Sequence, residues 1–169
     1  MLHLAINYGQ SFLSSVVGPL RIIVEREGIA EITLPGCLSH LNLDAVSEDD
    51  SELRVLLEQA VMQIEEYLIG KRTKFTLPLA LSGTTFQLAV WREIQNIPYG
   101  MTKTYGEIGR ALGDEAKARA VGNAAGANPI PFFVPCHRVV GKSGNIGGFS
   151  GGVPLKMLLL AMEKKMVNS

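Results

Sequence analysis

The chain has 169 residues, 47% of them hydrophobic and 19% charged, which is the size and composition of one ordinary globular domain or two small ones. These values exclude wholesale disorder, collagen-like repeats and a coiled coil. The formal net charge is zero, but residues 1–100 hold 7 Lys and Arg against 12 Asp and Glu, a net −5, while residues 101–169 hold 9 against 4, a net +5. A basic second part suits a polyanionic partner, although a solvated face accounts for the same charges.

No apolar run approaches the roughly 18 to 20 residues of a membrane span, and the N-terminus lacks the pattern of a cleaved signal. A soluble, cytoplasmic protein with no membrane contact is expected. Cys37 and Cys136 form no CxxC or zinc-spaced cluster, so neither a disulfide framework nor a structural zinc is indicated.

In chain order, short β-branched runs at His3 to Tyr8, Gly18 to Val24 and Ile29 to Leu34 are separated by turn signals, which predicts a small antiparallel sheet. The polar, acidic stretch from Leu38 to Asp50 reads as a loop. Ser51 then opens a helical period through Leu53, Leu56, Leu57, Ala60, Ile64 and Leu68, closed by Gly70. The alternation Phe75, Leu77, Leu79, Leu81 predicts a further strand ending at Ser82-Gly83.

The texture changes near residue 84. Phe86, Val90, Trp91 and Ile94 mark a helix that must end before Ile97-Pro98, because the residue before proline is pushed out of helical geometry. Two further helices, Thr104 to Leu112 and Glu115 to Ala125, flank Gly113 and Asp114 with the spacing of a helix-turn-helix. The second carries Lys117 and Arg119 and then the small residues Ala120, Gly122, Ala124, Ala125 and Gly126. Small side chains permit close approach to a nucleic-acid groove or to another helix, and both readings stand. A last helix is expected from Leu155 to Lys165.

Residues 128–152 differ from the rest, with three prolines leading to Cys136 and six glycines after it. So many fixed and permissive dihedrals build a shaped loop. An arbitrary cysteine is most often a buried structural one, but Cys136 is flanked by His137 and Arg138, whose positive charge would favour a thiolate nucleophile. Neighbouring side chains often diverge, so a bridging water is as compatible with a Cys-His pair as a direct bond. The imidazole would need an orienting acid. Glu163 is the sole carboxylate after Glu115; it is either that acid or plain helix surface.

Taken in order, I-P-Y-G, T-Y-G-E-I, A-R-A-V-G, N-P-I-P, P-C-H-R-V, S-G-G and L-L-x-x-E resemble the O6-alkylguanine-DNA alkyltransferase family, closely from Thr85 to Glu163 and loosely before that. The resemblance implies direct-reversal DNA repair, in which an alkyl group passes from O6 of a flipped-out guanine to a cysteine that is consumed. It implies Cys136 as acceptor, His137 as water-relayed base, Glu163 as its orienting partner and Asn128 as organiser of the active-site turn. Tyr105 would hydrogen-bond guanine N3 and assist base rotation. Arg119 would enter the duplex from the minor groove, on a helix whose Ala120 and Gly122 approach the DNA, and Val139, Phe149 and Ser150 would bound the flipped base. Double-stranded DNA is the implied partner of a monomer that needs no cofactor and no metal.

Three departures from the family pattern stand out. Gly126 replaces an arginine found in some relatives, and Phe149 replaces a tyrosine. His3, Cys37 and His40 do not reproduce the zinc site of certain members. A lesion sensor of the same family would lack Cys136, a cysteine hydrolase would turn over, and a multifunctional regulator would need a further domain for which 169 residues leave no room. The expected architecture is α+β, with an N-terminal supporting domain over 1–83 (antiparallel sheet plus one helix). Residues 84–169 form a mainly helical DNA-binding and acceptor domain with the helix-turn-helix and the active-site loop.

Overall fold

The structure is a computed structural model that describes residues 4–8, 17–34 and 51–167. The loop expected from Leu38 to Asp50, and His3, Cys37 and His40, lie outside the described residues. The chain divides into two compact units, Met1–Leu81 and Ser82–Ser169.

In the first unit, β1 (Leu4–Tyr8), β2 (Leu20–Glu25) and β3 (Gly28–Thr33) form an antiparallel sheet in the order β1-β2-β3. Side chains of β2 alternate strictly between buried and half-buried, the signature of a strand with one face on a core. Helix α1 (Ser51–Leu68) supplies that core with Leu53, Leu57, Ala60, Val61, Ile64, Tyr67 and Leu68. The alternation from Phe75 to Leu81 does not become a strand. Pairing there is confined to one parallel bridge between Ile29 and Leu79, because Pro78 offers no N–H and contributes only its carbonyl, to Ile29 N at 2.9 Å. Thr76 is held instead by Gln63, which accepts from Thr76 N at 3.0 Å and donates to its hydroxyl at 2.9 Å. The approach is so close that a Cβ on Gly28, whose φ is +141°, would overlap the Pro78 carbonyl.

The second unit opens with α2 (Thr85–Gln95), started by a capping box between Thr84 and Gln87. It ends where expected, ahead of Ile97-Pro98. A second capping box, Thr104 with Glu107, starts α3 (Tyr105–Ala111). Thr104 also ends the short strand β4 (Lys103–Thr104), which runs parallel to β5 (Val139–Val140). The helix expected from Glu115 to Ala125 is divided. Asp114 accepts from Ala116 N at 2.9 Å and caps a tight 3₁₀ turn, Glu115–Lys117, and only then does α4 (Ala118–Gly126) follow. Helix α5 (Val153–Val167) begins two residues before Leu155.

Trp91 on α2 is 2% exposed, and its indole N–H donates to the Ala124 carbonyl at 2.8 Å. That carbonyl lies in the last turn of α4, where helical donors run out. Replacing Trp91→Phe removes the donor and leaves a buried carbonyl unmet. A loss of about 1–3 kcal/mol in unfolding free energy is expected, read from urea denaturation followed by circular dichroism.

Candidate functional site

The loop between α4 and β5 is organised by Asn128. Its Oδ1 accepts from Ile130 N at 3.0 Å, and its Nδ2 donates to the Val134 carbonyl at 2.8 Å and to Cys136 Sγ at 3.1 Å. One side chain therefore closes the turn and touches the sulfur. The turn is tight enough to hold Phe132 at φ +73° with its ring buried, a conformation that costs a bulky residue on the order of 1–3 kcal/mol. Cys136 begins a 3₁₀ turn, Cys136–Arg138, that delivers the chain to β5.

Cys136 is 6% exposed and lies on the wall of a cavity of about 410 Å³ that is also lined by Tyr105, Arg119, Gly122, Phe149 and Ser150. The same wall includes Ala118, Asn123, Ala125, Gly126 and Gly148, so small residues of α4 make the space. Tyr105 is the first residue of α3, and its ring is flanked by Gly122 and Gly147. A Cβ on Gly147, at φ +69°, would stand 2.7 Å from the Tyr105 hydroxyl, so glycine is needed there for both backbone and space. Arg119 is exposed at the cavity's side. Of the residues expected to contact a base or DNA, Val139 and Ala120 are not on the cavity wall; Val139 is buried, and its carbonyl accepts from Lys156.

Behind the cysteine, His137 Nε2 meets Glu163 Oε1 at 2.8 Å, and neither side chain has solvent access. Glu163 is therefore not helix surface. It also accepts from Arg138 Nε at 3.0 and 3.1 Å, from Arg138 Nη2 at 2.9 Å and from Gly100 N at 2.9 Å. Burial alone would push its carboxyl up; the hydrogen bonds from His137 and Arg138 outweigh that and bring it down to about 2. Arg138 further donates to the Ile97 carbonyl at 2.7 Å and lies over the Tyr99 ring.

These contacts alter the expected electrostatics of the thiol. Burial pushes Cys136 up, and the opposing influences are the Asn128 hydrogen bond, the charge of Lys156 and a hydrogen bond from the cysteine's own backbone, not His137 or Arg138. Both neighbours in sequence are turned towards Glu163. Lys156 and the structural role of Arg138 escape a motif reading; the one available signal was a lysine on the otherwise apolar first half of α5. Burial also raises the Tyr105 phenol, and the negative charge of Cys136 adds to it, so Tyr105 stays a hydrogen-bond donor at neutral pH. Among the described residues no group of three or more His, Cys, Asp or Glu could hold a metal, and no helix is long and apolar enough to cross a membrane.

The buried pair sets an acid limit. Burial holds the His137 imidazole below its ordinary 6.5, with Glu163 pulling it back only in part, and Glu163 lies below its ordinary 4.5. In both cases the unfolded chain binds protons more readily, so stability present at neutral pH is lost on acidification. The urea midpoint should fall as pH drops below 6.5 and more steeply from 4.5 towards 2. In Glu163→Gln the steeper, lower-pH part should flatten.

Residues 85–165 match the family model described as 6-O-methylguanine DNA methyltransferase, DNA binding domain, and residues 10–81 match the one described as 6-O-methylguanine DNA methyltransferase, ribonuclease-like domain. The chain is 49% identical over 118 residues to the inducible methylated-DNA--protein-cysteine methyltransferase of Bacillus subtilis, covering 70% of this chain and 64% of that one. It is 36% identical over 154 residues to the methylated-DNA--protein-cysteine methyltransferase of Methanosarcina acetivorans, covering 90% and 96%. The chain thus spans about 64% of the length of the B. subtilis relative and nearly all of the archaeal one. Among solved structures, Mycobacterium tuberculosis OGT in complex with DNA superposes with a TM-score of 0.79 at 35% identity, over 98% of this chain and 94% of that one. The three-stranded sheet with its helix and the mainly helical second unit are the α+β fold of that structure.

Proposed function

The chain belongs to the 6-O-methylguanine DNA methyltransferase family, and from that membership we propose that it is a single-use DNA repair protein that moves an alkyl group from O6 of guanine to Cys136. The observation that carries the proposal is a buried cysteine held by Asn128 on the wall of a cavity lined by Tyr105 and Arg119, with His137 and Glu163 paired behind it.

In this reading the thiol gives its proton to His137 through a water, and Glu163 holds the imidazole in the orientation that takes it. The sulfur then attacks the alkyl carbon from behind. The S–C bond forms, the C–O6 bond breaks, and the electron pair passes to the purine. Tyr105, kept protonated by burial, donates to guanine N3 as that charge develops. A base stacked in a duplex does not present its O6 substituent for in-line attack, so the nucleotide is rotated out at a cost of a few kcal/mol. Arg119 enters from the minor groove and occupies the space left behind, with Ala120 and Gly122 bringing α4 close to the DNA. The backbone at Val139 and Ser150, with the Phe149 ring, bounds the flipped base. A thioether has no easy route back to the thiol, so each molecule acts once. The unit from 82 onward carries DNA binding and acceptance, and the first unit supports it. The protein acts as a cytoplasmic monomer without cofactor or metal.

Intact-protein mass after incubation with a duplex containing O6-methylguanine tests this directly. Uptake of a single methyl is expected, and Cys136→Ser should take up none. No mass gain with the lesion still bound would make the protein a sensor, and release of many products per molecule would make it a hydrolase.

A further inference from the structure

Helix α4 contributes Ala118, Arg119, Gly122, Asn123, Ala125 and Gly126 to the cavity wall. Two of these carry polar side chains, and they stand four positions apart, on one face of the helix. Arg119 already has a task in the proposed reading; Asn123 has none. Asn123 is exposed, and among the described residues its side-chain amide has no hydrogen-bond partner. Asn128, five positions on, differs, because its amide is buried and satisfied at both ends within the active-site loop. An asparagine is also a poorer helix former than the alanines of the same helix, since its amide competes for the backbone. Nothing in the chain compensates for one at position 123, and its donor and acceptor are available to a partner lying along this face.

We propose that Asn123 is a specificity-determining residue that reads the minor-groove edge of a base pair beside the lesion and favours guanine there. The inference rests on the proposed contact of α4 with the minor groove. An amide is neutral, so it adds nothing to the phosphate attraction that any duplex supplies. What it adds is direction, with Nδ2 donating and Oδ1 accepting. In the minor groove an A·T pair offers acceptors only, whereas a G·C pair adds the guanine 2-amino donor. Asn123 therefore meets guanine with both ends, Nδ2 donating to N3 and Oδ1 accepting from the 2-amino group. Against an A·T pair Oδ1 faces an edge without a donor. Four residues of helix advance about 6 Å, and successive nucleotides of a strand rise about 3.4 Å. With Arg119 at the extruded nucleotide, Asn123 falls within about two base pairs of it. A Cβ on Gly126, the next α4 residue but two, would touch nothing within 4 Å, so the protein's own packing does not fill the space beside the amide.

The test is competition binding to Cys136→Ser, in which no transfer interferes, with duplexes that carry O6-methylguanine and a guanine at one of the two pairs on either side of it. Inosine then replaces that guanine, which removes only the 2-amino group. At one of these placements inosine should weaken binding about tenfold. In Cys136→Ser carrying Asn123→Ala as well, the same exchange should be nearly without effect. The added substitution sits at an exposed helical position and favours the helix, so folding is retained. An exchange that costs both proteins the same at every placement overturns the proposal. Methyl uptake by the wild-type chain separates the two readings. Uptake beside equal inosine penalties defeats the role of Asn123 alone, and no uptake beside a penalty that vanishes with Asn123→Ala defeats the proposed transfer alone. Absence of binding to every duplex defeats both.

Discussion

A carboxylate without solvent access keeps its charge only if donors surround it, and Glu163 brings them to its own helix from two other stretches of chain. The Gly100 amide comes from the turn after α2, His137 and Arg138 from the loop after α4, and Glu163 itself from α5. The cost of burying the charge is met by hydrogen bonds that also lock those stretches together. The Cys136 turn sits on this cluster, so the position of the sulfur follows from how the carboxylate is satisfied.

The same economy of charge divides the basic residues near the site by task. Arg138 holds Glu163 ionised and secures the Ile97 carbonyl. His137 is bonded through Nε2 to that carboxylate, which orients its ring. Lys156 donates to the Val139 and Gly148 carbonyls. Two cations within a small buried volume would repel one another if both were aimed at the sulfur; distributing them over a carboxylate and two backbone carbonyls removes that conflict. The cavity is left to small residues and one aromatic donor, with Tyr105 fitting only because position 147 carries no side chain.

Local signals in the sequence were sufficient wherever the cause of structure was local. The stop before Ile97-Pro98 and the apolar seam of α1 each depend on residues within a turn or two. The alternation from Phe75 to Leu81 failed because a strand needs a partner along its length, and Pro78 together with the Gln63 to Thr76 bonds leaves one bridge. The division of the second helix of the helix-turn-helix was equally hidden, since Asp114 is a good cap for either a 3₁₀ or an α start.

The sequence by itself determined the N-terminal sheet, the longer helices, the shaped loop around Cys136 and, through its motifs, the family, because each is written in neighbouring residue types. Only the tertiary structure decided that Glu163 is buried and shared between His137 and Arg138. It likewise decided that Asn128 touches the sulfur and that the histidine and arginine beside the cysteine turn to Glu163. Side-chain direction is set by what each group must satisfy when buried. That depends on which segments meet in space, and residues adjacent in the chain gave no account of it.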